Sequence, residues 1–223
     1  APAAIAEAPV KITEAPVQDV KNEAYEITYQ GARSYVSSIG TVWLQGIAEI
    51  TNTGNVPLYL SSGGMDFEDG SGKLLAAETM VSTYPDVIQP GEKGYMYCEN
   101  TFDGENPEAV NIIPRPSVEK AKVECIRLPV SEMELSDGQY GGVKIMGRVE
   151  NTMQTEANMV YVVAVLLNAE GTPVGVLMNI LMDAIQPGDK IGVELNSFAL
   201  PDDITAETIV DFTVFAYPMQ MQF

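Results

Sequence analysis

Histidine is absent from this chain of 223 residues. That removes the usual general base near neutral pH and the commonest transition-metal ligand, and it weighs against hydrolase triads and zinc sites. Cysteine occurs only at Cys98 and Cys125, too far apart for Cys-x-x-Cys chemistry and too few for a disulfide framework. Positive charge is scarce as well. Twelve Lys and Arg stand against 31 Asp and Glu, and the net charge of −19 repels nucleic acid phosphates and anionic lipid head groups, so no nucleic-acid partner is expected. The acids are scattered, as on a solubilising surface, rather than gathered into a docking patch. Long apolar runs are missing too: VYVVAVLL at 160–167 falls far short of the roughly 20 residues that span a bilayer. No transmembrane segment is expected.

What is present suits a soluble globular β protein. Apolar residues make up 46% of the chain, enough for one or two hydrophobic cores. Residues 1–21 are rich in Ala, Pro and Glu and write EAPV at 7–10 and again at 14–17, the composition of a flexible tether. Semi-extended at about 3 Å per residue, such a tether would hold a domain about 60 Å from its anchor. A processed secreted or lipid-anchored protein starts in this way, with its signal or lipid-anchor segment removed, so an extracellular or cell-envelope location is expected.

The chain also repeats itself. IQPGEK at 88–93 returns as IQPGDK at 185–190, AEITNT at 48–53 lies over GRVENT at 147–152, and FEDGSGK at 67–73 lies over LLNAEGT at 166–172. Three matches in one order indicate two copies of one domain, over about residues 22–121 and 122–223. Within each copy the apolar period is two. Val42, Leu44, Gly46, Ala48 and Ile50 alternate with Trp43, Gln45, Ile47 and Glu49, and Val143, Ile145, Gly147 and Val149 repeat the parity. After the IQPG turn, Met96 and Cys98 correspond to Val193 and Leu195 as the inward set. Pro90-Gly91 and Pro187-Gly188 suit the two central positions of a type II turn. Short strands at hairpin spacing, with no amphipathic helix, predict an all-β chain with one antiparallel β-sandwich per copy.

The order G-x-[VI]-x-N-T, then F-x-L-Y-D-x-x-G, then L-x-P-G resembles the FxLYD-type bacterial immunoglobulin-like domains, which occur in tandem in secreted proteins and lipoproteins. Met65-Asp66-Phe67-Glu68-Asp69 stands where F-x-L-Y-D belongs, and Ala164-Val165-Leu166-Leu167-Asn168 departs further. The resemblance implies two tandem immunoglobulin-like sandwiches related by duplication, in an extracytoplasmic setting, with no catalytic residues to carry over.

Candidate sites are few. DFEDGSG at 66–72 offers Asp66, Glu68 and Asp69 near a glycine, but it lacks the acid spacing of an EF-hand, and its counterpart replaces acids with Leu167 and Asn168. It reads as a hairpin turn, and neither metal nor cofactor is expected. Chemistry would have to come from paired carboxylates, Ser/Lys or Tyr, and no spacing of these stands out, so a non-catalytic module is expected, with an enzyme or calcium-dependent binder as the alternative. Cys98 and Cys125 fall at apolar positions, the latter matched to Ile27 by aligning YEITY with VECIRL, and read as buried free thiols or as a bridge pinning the two domains.

Two features point outward. Trp43 and Ile47, with Tyr95 and Tyr97, take the outer parity of their strands. Such rings either bind a protein or glycan at the cell surface or pack against the neighbouring domain, the N-terminal segment or a loop. VYVVAVLL is apolar on both faces, so its outer set, Tyr161, Val163, Val165 and Leu167, is expected to meet the first domain, the carboxy-terminal YPMQMQF or a second molecule.

Overall fold

Alternating apolar side chains become extended strands because only a pleated strand puts every second residue on one face. The computed structural model describes residues 22–138, 142–196 and 200–219; the expected tether at 1–21 and the last four residues of YPMQMQF lie outside them. Among the described residues the chain is all β, without a helix, and its strands form several antiparallel sheets, consistent with a β-sandwich. No described helix is long and apolar enough to cross a membrane.

In the N-terminal half, β1 (Tyr25–Val36), β2 (Val42–Asn52) and β7 (Lys93–Phe102) pair in that order, with the short β5 (Thr83–Tyr84) beyond β7. The second sheet is built on β3 (Leu58–Asp69), which pairs with β4 (Leu74–Val81), β6 (Val87–Ile88) and β8 (Val110–Lys120). In the C-terminal half β10 (Val143–Glu150) lies between β9 (Val130–Asp137) and β13 (Lys190–Asn196), while β11 (Val160–Leu167) lies between β12 (Pro173–Leu181) and β14 (Asp211–Pro218). The same pairing order recurs. In each half the first long strand pairs with the second, and the second with the strand after the Gln-Pro-Gly turn.

The opening strand of the C-terminal half is β9, not VECIRL. Residues 121–129 form a connector outside the strands, so Cys125 is not the counterpart of Ile27. Its apolar residues had suggested a strand, whereas SEMELSD within β9 is polar yet finds its ladder on β10.

Each half has its own buried cluster. Leu44, Ala48, Ile50 and Met96 meet Leu58, Leu60, Met65 and Phe67 in one, and Val143, Ile145, Val149 and Leu195 meet Val162, Ala164, Leu166 and Ala216 in the other. Each such apolar side chain contributes about 1.5–3 kcal/mol through burial. Gly46 holds an inward position where a Cβ would press on side chains of the facing sheet, on Met65 Sδ first and then on Ile112 Cγ2 (3.0 Å) and Phe67 Cε1 (3.1 Å). A larger residue there would require those three side chains to move.

The repeated words NT and IQPG belong to one device. Asn52 is buried, its Nδ2 donates to the carbonyls of Val56 (2.8 Å) and Ile88 (3.2 Å), and its Oδ1 accepts from Gly54 N (3.0 Å). Asn151, equally buried, donates to Thr155 (2.9 Å) and Ile185 (2.7 Å) and accepts from Met153 N (2.9 Å). Their main chains receive Gly91 N and Gly188 N, each at 2.8 Å. A buried carboxamide is tolerated only when its hydrogen bonds are met, and here meeting them ties the strand end to the turn. The turns are type II: Glu92 N reaches Gln89 O and Asp189 N reaches Gln186 O, with φ of 82° at Gly91 and 83° at Gly188.

Candidate functional site

Register alone assembles the outer face of the β1-β2-β7 sheet. Trp43 stands between Tyr35 and Thr101, Gln45 between Arg33 and Glu99, Ile47 between Gly31 and Tyr97, and Glu49 between Tyr29 and Tyr95. Directly opposed residues on an antiparallel sheet share a face, so the four residues expected to point outward do lie on one surface. That surface is covered. Ile47 is 3% exposed and Tyr95 6%, while Trp43 and Tyr97 are half-buried.

For Ile47, Tyr95 and Tyr97 the cover comes from the C-terminal half. Tyr95, Val163, Val165, Val176 and Tyr217 form one buried cluster, with Tyr84, Tyr97, Tyr161, Leu167 and Phe215 packed against it. Thus Tyr161, Val163, Val165 and Leu167, the outer set of β11, meet the tyrosines of the N-terminal half, while the alternate set serves the C-terminal core. Tyr95 and Phe215 approach to 6.4 Å between ring centroids, and Tyr161 stacks on Tyr217 at 5.6 Å. Aromatic residues suit such a seam because they bury large area with few torsions to freeze.

A polar row borders the aromatic cluster. Arg33 Nε donates to Gln45 Oε1 (2.6 Å), and its Nη2 reaches across the seam to the carbonyl of Val174 (2.7 Å). Gln45 Nε2 donates to the Tyr97 hydroxyl (2.8 Å) and to Glu99 Oε1 (3.2 Å), and the same hydroxyl donates to Glu99. Burial pushes the Glu99 carboxyl above the usual carboxylate range, against the opposing pull of Tyr97, Gln45 and Arg33. Burial first, and then the neighbouring Glu99 charge, raises the Tyr97 phenol well above its ordinary value. At Glu49 the balance reverses: burial alone would raise its pKa, but hydrogen bonds from Lys93 and Thr28 and the Lys93 charge hold it below the usual range. The small space left between Arg33, Gln45, Ile47 and Val174, about 90 Å³, has room for only a few waters.

The connector fastens the other end. Arg127 donates to the Val87 carbonyl, pairs with Glu92 at 3.3 Å and lies over the Tyr217 ring, its guanidinium carbon 5.6 Å from the centroid. Cys125 donates its thiol to the same carbonyl (3.4 Å). Leu128 N then bonds Ala216 O (2.8 Å), so a few consecutive residues hold both halves. The Arg33, Glu99 and Arg127 contacts went unread in the sequence. For Arg33 and Glu99 the only signal was strand parity, which gains meaning once the register is known; Arg127, in the connector, has no strand parity to read.

The DFEDGSG stretch is a hairpin turn. Asp69 Oδ1 accepts from Ser71 N (2.8 Å), Ser71 Oγ (2.6 Å) and Lys73 N (3.0 Å), and Asp66 pairs with Arg115. Asn168 does the same work in the other half, accepting from Glu170 N (3.1 Å) and Thr172 N (2.9 Å). A neutral carboxamide replaces the acid because the oxygen serves as a turn acceptor. No family model matches the chain, and no curated protein matches it.

Proposed function

We propose that the chain is a non-catalytic module of the cell envelope or extracellular space that presents a surface to a protein or glycan. In this reading it comprises two immunoglobulin-like sandwiches of the FxLYD kind, over about residues 22–121 and 122–223, carried on the 1–21 tether. The paired Asn52 and Asn151 clamps support descent from one duplicated unit. The observation that carries the functional reading is the seam: Tyr95 against Phe215, with Arg33 and Arg127 bonded across or along it, supports two units held at a fixed angle. A fixed angle lets residues from both units contribute to one surface without an ordering cost on binding.

The test is a glycan array together with a pull-down from bacterial envelope extract, using the full chain and a Trp43→Ala variant to learn whether the half-buried ring takes part. Saturable retention of a glycan or an envelope protein supports the reading. Failure of both sinks it, and a precursor without an apolar leader would remove the envelope location.

A further inference from the structure

The backbone N–H and C=O groups along the outer side of an edge strand have no ladder partner, and another chain can pair with them. Several edges of this protein are guarded against that. β8 carries Pro114 and Pro116, β9 is bent at Glu132 (φ 57°), and β13 carries Lys190 and Glu194. Proline, bulged backbone and charge are the devices that ordinarily stop such pairing.

β4 has little of that protection. It lies at the edge of its sheet, and among the described residues its ladder is to β3 alone. Its sequence, LLAAETMV, contains no proline, lysine or arginine. The single charge, Glu78, stands opposite the buried Met65, and its carboxylate accepts from Asn100 of β7, so it is turned toward the other sheet. Apolar side chains face outward instead. Ala77 opposes Asp66 and Leu74 opposes Glu68, with a register shift between the two pairs, so Ala77 and Leu74 both take the outer face. Leu74 is 55% exposed and Met80 81%.

The spacing of these residues is self-complementary. Leu74 and Met80 stand three residues before and three after Ala77. Two copies of β4 paired antiparallel about a two-fold axis at Ala77 would set Ala77 against Ala77, and Leu74 of each copy against Met80 of the other. No like charges would meet, because Glu78 falls opposite Ala76 and is already held by Asn100. A foreign segment has no such matched order on offer. We infer that β4 pairs with β4 of a second copy of this chain, antiparallel about Ala77, so that the two N-terminal halves share one continuous sheet. The inference goes beyond the presentation-module reading and does not depend on it. Eight residues of strand edge make an interface smaller than the roughly 1,200–2,000 Å² of standard complexes, so a weak dimer is expected.

Sedimentation equilibrium of the full chain, up to about 1 mM protein and across a salt series, should show monomer and dimer in exchange. The dimer fraction should grow with salt, since screening weakens the repulsion between two copies of charge −19 while the paired strands present no charge to screen. Ala77→Lys sets two ammonium groups face to face at the axis and should weaken the dimer about tenfold or more, although it lowers the net charge. Met146→Lys adds the same charge on an exposed side chain of the C-terminal half and should not weaken it. Both variants should melt with the parent, so a lost dimer cannot be ascribed to unfolding. Cysteine pairing then reads the register. Ala77→Cys should link to itself on mild oxidation, and Leu74→Cys should link to Met80→Cys when the two variants are mixed. Leu74→Cys by itself should not link, because its two copies would lie about 20 Å apart at about 3.4 Å per residue. The parent chain is the blank.

Three results overturn the inference: a monomer at every concentration and salt, a dimer that Ala77→Lys leaves intact, or Leu74→Cys linking to itself more readily than Ala77→Cys does. The first leaves the edge to a strand of some other protein, the second moves the contact to another face, and the third shows a different register. None of them bears on the presentation-module reading, which the array and pull-down test separately.

Discussion

Tyr95 and Phe215 meet from opposite halves of the chain, their ring centroids 6.4 Å apart and their planes tilted by 41°. Tyr95 also hydrogen-bonds the buried Glu49, so one side chain serves both the aromatic cluster and the polar row beside it. Truncating either ring to alanine should cost about 2–4 kcal/mol. The double variant should fall short of additivity by about 0.5–1.5 kcal/mol, the coupling of an aromatic pair. Urea unfolding of the four proteins measures this, and strict additivity would mean that the rings do not stabilise one another.

Asn52→Ala and Asn151→Ala should each destabilise by about 2–3 kcal/mol, since each strands two carbonyls and an amide. Similar losses at both sites are expected from their matching bonds. Chemical denaturation of the two single variants provides the comparison; a loss at one site and none at the other would show that the two clamps are not equivalent in energy.

Glu99 and Glu49 should respond to pH in opposite senses. The folded-state pKa of Glu99 lies above its unfolded value, so its contribution is fully present below the usual carboxylate range and is lost as pH rises through the raised value. That of Glu49 is depressed, so its contribution is present above the usual range and is lost as pH falls through the depressed value. Glu99→Gln should therefore be more stable than the parent at neutral pH and Glu49→Gln less stable, both converging on the parent in acid. Stability measured across the acid range decides it, and parallel profiles for all three proteins would contradict the assignment.

The two thiols should remain free and unreactive. Burial, and then the charges of Glu78 and Glu99, push the Cys98 thiol up to about 12, and burial raises Cys125 as well. At neutral pH little thiolate is available to react. An unreduced intact mass carrying two free thiols, and a disulfide-exchange reagent that reacts fully only after denaturation, are the expected results; a mass two daltons lower would show a bridge instead.

Alternation along 42–50 and 143–149 was legible because a half-buried strand writes its inner face directly into every second residue. The two NT words and the two IQPG words were legible as a repeat, since a buried carboxamide and a left-handed glycine each restrict which residue can stand there. VYVVAVLL declared two-sided burial, because a run with no polar side to offer water must be covered twice. What covered it was open. So were the fates of Tyr95, which joins the aromatic cluster of the seam, and of Ile47, buried beside Pro173 and Val174, although both occupy outward positions.

β9 shows the opposite failure. Its polar residues hid a strand whose backbone hydrogen bonds to β10 place it, whereas the apolar connector at 121–129 resembled a strand and was not one. Local order was thus written in the chain, since periodicity and turn chemistry act over a few residues. The docking of one half on the other and the row from Arg33 to Glu99 were decided only in three dimensions. They depend on shape and charge meeting between segments far apart in sequence, and no short-range pattern records such a meeting.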